Sequence, residues 1–204
     1  MTKKKFLDPN LKNKSKTVED KIQFFDYEGA KLPLPTEIEI SESGTCNRTC
    51  SFCPRSAADF EDKKEFITNE LHEKLCKELQ KLNYKGTIRY SGFVEPLLDK
   101  NIYNLIAMIK NFLPDSNVEM VTNGDPLNLK RLNKLFESGL NRILISAYDG
   151  KEDADKLENL CKIAGLNESQ YIVRHRYYSE NEDFGITLSN RSGLMDNAEF
   201  KIAS

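Results

Sequence analysis

The chain has 204 residues, 39% hydrophobic and 30% charged, with a formal net charge of −2. That length supports one sizeable core, the composition is that of a soluble globular protein, and the near-neutral balance gives no support for a nucleic-acid partner. No apolar run approaches the roughly 20 residues of a membrane span, and the basic start Met1–Asn10 has no apolar stretch behind it, so a cytoplasmic protein is expected.

Residues 1–22 carry seven lysines against three acids with almost no apolar periodicity. With the proline-marked stretch Lys31–Pro35 they make residues 1–35 a basic, flexible N-terminal arm and extended lead-in, the arm being either a solvated tail or a tether for an acidic partner. From Thr36 onward strand-like and helix-like patterns alternate. Ile38 and Ile40 alternate with polar neighbours over Thr36–Ser41, which predicts a strand. Leu71, Leu75, Leu79 and Leu82 predict a helix near 68–82, started by Thr68 or Asn69. A strand at Thr87–Ser91, a helix at Ile102–Phe112 ended by Pro114, and a strand at Asn117–Thr122 follow. A helix carrying Leu127, Leu132, Leu135 and Phe136 is closed by Gly139, and then come a strand at Arg142–Ser146, a helix near 152–164, a strand at Tyr171–Tyr177 and a short sixth strand at Ile186–Ser189.

This order predicts an α/β fold, an open partial β/α barrel of five to six parallel strands with helices outside, spanning 36–193 and followed by a tail at 194–204; eight units would close the full barrel. Glu39, Arg89, Glu119 and Arg174 fall on the polar register of apolar strands, where they either pair inside the barrel, line a cavity or end in water.

Five cysteines are present, and three of them, Cys46, Cys50 and Cys53, lie within eight consecutive residues, too close for ordinary paired disulfides. Directly after the first strand, they belong to the end of the sheet where ligand-binding loops gather, and Gly44 gives their loop freedom to turn. Thiolates at this spacing can wrap a small inorganic cluster in a reducing compartment, and three ligands would leave one iron open. Zinc is the competing metal, but a closed zinc site needs a fourth ligand, and neither His nor a further Cys lies near the loop. Cys76 and Cys161 fall on apolar helix faces and read as core thiols.

The CxxxCxxC spacing, with Phe52 just before the last cysteine, resembles the signature of the radical S-adenosylmethionine (SAM) enzymes. The resemblance implies that Cys46, Cys50 and Cys53 hold a [4Fe-4S] cluster whose open iron binds SAM, and that an electron from an external donor splits SAM to a 5′-deoxyadenosyl radical. The substrate, of peptide, sugar or nucleoside class, stays unidentified. Ser91-Gly92-Phe93-Val94-Glu95-Pro96-Leu97-Leu98 resembles the family's glycine-rich GxGEPLL segment, which implies that Gly92 and Glu95 lie at the SAM amino group. It departs at Val94, where a glycine is usual and where a β-branched residue would resist a positive φ. Thr122-Asn123-Gly124 and Ile145-Ser146-Ala147-Tyr148-Asp149-Gly150 match family habits at the next strand ends, and imply SAM contacts from Asn123 and, at the ribose, Ser146. Asn123-Gly124 also reads as a plain turn.

Arg174 and Arg176 share one strand face and His175 takes the other; a guanidinium on the inner face suits the SAM carboxylate, so Arg174 is the expected partner. His175 and His72 are weaker candidates for proton transfer, both better read as structural. Asn190-Arg191-Ser192-Gly193 resembles the stretch that precedes a cysteine-rich C-terminal domain of the SPASM type in one subgroup. No further cysteine follows this stretch in the 204 residues, so that domain is expected to be absent, which keeps a second reading in view: a non-catalytic cluster-bearing remnant, or half of a split enzyme needing a partner protein.

Overall fold

The computed structural model describes residues 22–177; the first 21 residues, the expected strand at 186–189, the Asn190–Gly193 stretch and the tail at 194–204 lie outside the described residues. The lead-in is more ordered than a single extended strand. Phe24–Tyr27 (β1) and Ala30–Pro33 (β2) pair antiparallel, and Glu28 and Gly29, at φ 47° and 83°, make the two-residue turn with left-handed dihedrals that matches hairpin twist.

The remaining elements fall close to where the apolar periodicity places them, except that Leu127 lies before the third helix, which starts after its Asn128 cap, and the last strand ends at His175 rather than Tyr177. They are β3 (Glu37–Ile40), α1 (Asn69–Lys81), β4 (Thr87–Tyr90), α2 (Ile102–Phe112), β5 (Asn117–Thr122), α3 (Leu129–Glu137), β6 (Arg142–Ala147), α4 (Lys151–Ile163) and β7 (Tyr171–His175). Thr68 and Asn128 cap α1 and α3 by accepting the Leu71 and Arg131 amides at 3.2 and 3.0 Å. β3 to β7 form one parallel sheet in chain order, each strand added to the same side. An order that never reverses is that of barrel winding rather than of a doubly wound sheet, so the α/β partial barrel stands as expected.

Strand alternation divides the two faces. Ile88, Tyr90, Val118, Met120, Ile143 and Ile145 are fully buried, and with Leu105, Ile106 and Ile109 of α2 and Leu132 and Leu135 of α3 they form one core. On the other register Glu39, Arg89, Glu119 and Arg142 are neighbours across four strands. Arg89 pairs with Glu37 and, at 2.7 Å, with Glu119, which Arg142 approaches at 3.5 Å. Arg89, Glu119 and Arg142 therefore pair with one another, and with Glu39 they line a cavity.

The helix side carries a small polar cluster. His72 Nε2 lies 2.8 Å from Tyr90 Oη, and burial depresses the histidine to about 4, so it is neutral at ordinary pH. Cys76 and Cys161 are buried there as expected, their thiols pushed up to about 11 by burial. Glu42, 1% exposed, continues the helix-facing register of β3; Ser43 donates to its Oε1, and its Oε2 has no partner among the described residues. Burial raises Glu42 from 4.5 to about 7. The folded chain thus holds this proton more tightly than the unfolded chain, and stability falls as pH rises from the unfolded value to the folded one. Urea unfolding is expected to show a loss of about 3 kcal/mol between pH 4.5 and 8 from this group, and Glu42→Gln to remove that slope. An unchanged slope in the variant would assign it elsewhere.

Candidate active site

The crossover from β3 to α1 carries the cysteines and is pinned at both its base and its middle. The Gly44 amide donates to Glu65 O at 3.0 Å, Ile67 to Glu42 O at 2.6 Å, and Ser43 bridges Phe66, which closes the loop on itself. Arg55, two residues past Cys53 and nearly buried, donates to the carbonyls of Gly44 and Phe93 at 3.1 Å each and pairs with Asp62. The Glu95 amide donates to Thr45 O at 3.0 Å, so the loop is also tied to the end of β4. Cys53 starts a short 3-10 turn, Pro54–Ser56, and its own amide donates to Cys50 O at 2.9 Å.

These ties bring Cys46, Cys50 and Cys53, all free and half-buried, to the wall of one cavity of about 470 Å³ at the C-terminal ends of the strands. Gly92, Glu95, Asn123, Ser146 and Arg174 line the same cavity, so the residues expected at the cluster and at SAM meet there. Burial raises the thiols of Cys46 and Cys50, and a bound cation must displace those protons. The Arg48 amide and Asn123 Nδ2 point at Cys46 Sγ from 3.4 and 3.9 Å, donors of the kind that tune a ligating sulfur. A closed zinc site needs a fourth ligand beside the three thiols, whereas a cluster takes each thiolate at a separate iron, so this donor set fits a cluster.

Gly92 explains how β3 and β4 can end so close together. Ser41 Oγ donates to Ser91 O at 2.9 Å, and a Cβ on Gly92 would lie 2.1 Å from that Oγ; its φ of 127° also favours glycine. Val94 needs no such freedom: among the described non-glycine residues only Glu28 and Asn83 have positive φ. The departure from the GxGEPLL pattern therefore adds no backbone strain.

Glu95 is 1% exposed, and both its carboxylate oxygens are occupied by the protein. Oε1 accepts from Leu97 N at 3.0 Å and Thr122 Oγ1 at 2.7 Å, and Oε2 accepts from Asn123 N at 2.8 Å. The side chain thus joins the ends of β4 and β5. Asn123 is more than a turn residue: Nδ2 donates to Asn47 Oδ1 at 2.8 Å, while its Oδ1 accepts from the Asp125 amide at 3.0 Å. Ser146, 1% exposed, accepts from Arg174 Nη2 at 2.6 Å across a registered pair of β6 and β7. Arg176 joins Arg174 on the cavity side, and His175 turns away toward Tyr177 and Glu158 of α4.

The sequence did not bring forward Arg48, which pairs with Asp125 and Asp149 at 2.5 and 2.6 Å and holds the Asp149 carboxyl below its usual range. The one available signal was an acid just past each of two strand ends, facing a loop with an arginine between its cysteines.

The Radical SAM superfamily model matches residues 40–181. An S-adenosyl-L-methionine-dependent 2-deoxy-scyllo-inosamine dehydrogenase of Niallia circulans is 30% identical over 161 residues, 78% of this chain and 60% of that protein. A GTP 3′,8-cyclase of Staphylococcus haemolyticus (strain JCSC1435) is 34% identical over 122 residues, 57% of this chain and 35% of that protein. The crystal structure of BtrN in complex with AdoMet and 2-DOIA superposes with a TM-score of 0.65 at 28% identity, covering 80% of this chain and 63% of that one. The chain thus spans less than two thirds of each of these relatives.

Proposed function

Because the chain belongs to the radical SAM superfamily, we propose that it binds a [4Fe-4S] cluster through Cys46, Cys50 and Cys53, binds SAM beside it, and abstracts a hydrogen atom from a small substrate over the barrel mouth. The observation that carries this reading is the meeting of the three thiols with the Gly92 turn and the Ser146–Arg174 pair on one cavity wall. A cluster held by Cys46, Cys50 and Cys53 beside SAM would supply one-electron chemistry and the capacity to abstract hydrogen.

The chain's own residues bind, orient and exclude water. Arg174, steadied by Ser146, offers a planar guanidinium to a carboxylate, and Ser146 offers its hydroxyl to the ribose. The Gly92–Glu95 turn offers backbone to the amino group, with the Glu95 carboxylate fixing that turn against β5. Asn123 stands between this turn and the cysteine loop. The electron comes from an external donor. For the substrate, the charged inner register of Glu39, Arg89, Glu119 and Arg142 suits a polar molecule. Two relatives are named for 2-deoxy-scyllo-inosamine and GTP, which supports a sugar-like or nucleoside class ahead of a peptide.

Anaerobic reconstitution with iron and sulfide, then dithionite and SAM, is expected to yield 5′-deoxyadenosine. A well-formed cluster that gives none would remove the catalytic reading, and one zinc per chain without iron would remove the cluster.

A further inference from the structure

Arg48 lies between the first two cysteines, and its guanidinium is shared by two carboxylates from other loops. Nε and Nη2 donate to Asp125 at 2.6 and 2.5 Å, and Nη1 and Nη2 donate to Asp149 at 2.8 and 2.6 Å. Asp125 follows β5 and Asp149 follows β6, so three βα loops, 77 and 101 residues apart in sequence, meet on one side chain. The same guanidinium lies 5.5 Å from the Tyr148 ring centre, and Tyr148 is 5.3 Å from Phe52, the residue before Cys53. Asn47, next to Cys46, adds a hydrogen bond to Asp125 at 2.7 Å.

We infer that Arg48 is a positioning residue for the cluster, an ionic latch that holds the cysteine loop against the ends of β5 and β6 so that the three thiols are set before the cluster arrives. This rests on the cluster reading proposed above. A lone surface ion pair would hold little, because two flexible side chains must be ordered for one screened contact. Here one guanidinium, 19% exposed, serves two carboxylates with both edges, so ordering three side chains supports four hydrogen bonds. The shared face with Tyr148 shields the group further. Lysine has one point charge and cannot present two edges, so it should replace arginine only in part.

The test compares wild type, Arg48→Lys, Arg48→Ala and, because Asp149 is the most exposed member, Asp149→Asn. Hydrogen exchange of the apo-protein is expected to show about tenfold less protection at residues 46–53 in Arg48→Ala, with Arg48→Lys between it and wild type. Loss of iron from the reconstituted protein to a chelator is expected to be about tenfold faster in Arg48→Ala, and faster to a lesser degree in Asp149→Asn. Raising salt from 0.1 to 1 M should speed that loss in wild type and leave Arg48→Ala unchanged. Wild-type exchange and chelation rates in Arg48→Ala would overturn the latch while leaving the cluster reading intact. A wild-type protein that takes up no cluster at all would overturn both.

Discussion

Cys50→Ala and Cys53→Ala are each expected to lose the brown iron–sulfur absorption after reconstitution, with iron falling from about four atoms per chain to near zero and 5′-deoxyadenosine formation falling to background. The expectation follows from the ligand count. In the proposed cluster three thiolates would already leave one iron open, and a second vacancy would remove the hold on the cube rather than create another useful site. The same variants should fold normally. Both cysteines are half-buried on a loop outside the sheet core, and that loop is held by Arg55, by the Glu95 amide and by the Ser43–Phe66 bridge, none of which needs a thiol. Cys76→Ala and Cys161→Ala make the opposite pattern. These side chains are buried against the core, so their truncation should cost about 1–2 kcal/mol of stability while iron content stays at the wild-type level. Circular dichroism melts and iron analysis on the four variants separate the two classes. A Cys50→Ala protein that keeps a full complement of iron would show that the ligand set is drawn elsewhere.

The sheet was legible because its strands and helices each carry their own period. Leu71, Leu75 and Leu79 repeat every fourth residue and mark α1, and Asn117–Thr122 and Ile102–Phe112 begin and end where sequence signals place them. The grouping of the three thiols on one cavity wall was legible for a similar reason: they sit on one loop, so their spacing is written in consecutive residues. What connects the loop to the barrel is not local. Arg48 finds Asp125 and Asp149 only once three strands have been laid side by side, and no periodicity links an arginine to acids 77 and 101 positions later. The hairpin of β1 and β2 escaped for another reason. Pro33 and Pro35 gave the stretch an extended reading, but pairing with Phe24–Tyr27 depends on Glu28 taking a positive φ, which glutamate rarely does. Glu95 shows the limit of a motif: its position at the cavity was legible, while the destination of its carboxylate depended on Thr122 and Asn123 arriving from the next strand.

That destination makes Glu95 the site of the second large effect. Its carboxylate accepts three donors, and Glu95→Ala would leave the Leu97 and Asn123 amides and the Thr122 hydroxyl without an acceptor beside the core. Each buried unsatisfied donor costs about 1–3 kcal/mol, and water entering the neighbouring cavity recovers part of this, so a loss of about 3–5 kcal/mol is expected. In a domain of this size that is a fall in Tm of roughly 10 °C. Glu95→Gln should lose less. Its amide oxygen can keep Leu97 and Thr122, but its NH2 then faces the Asn123 amide, donor against donor, at a cost of about 1–2 kcal/mol. The apo-protein is the informative state. If the carboxylate positions the Gly92–Glu95 turn against β5, both variants lose Tm without SAM, in the order Ala more than Gln, and SAM affinity falls in step because the turn and Asn123 shift together. A variant with wild-type apo Tm and weakened SAM binding would instead make Glu95 a direct ligand, which would require its carboxylate to give up a partner to take on the amino group. Because the Asn123 amide is held by Oε2 while its Nδ2 reaches Cys46 Sγ, the same displacement should also alter the electron paramagnetic resonance signal of the reduced cluster, a readout that a purely remote loss of stability would leave untouched.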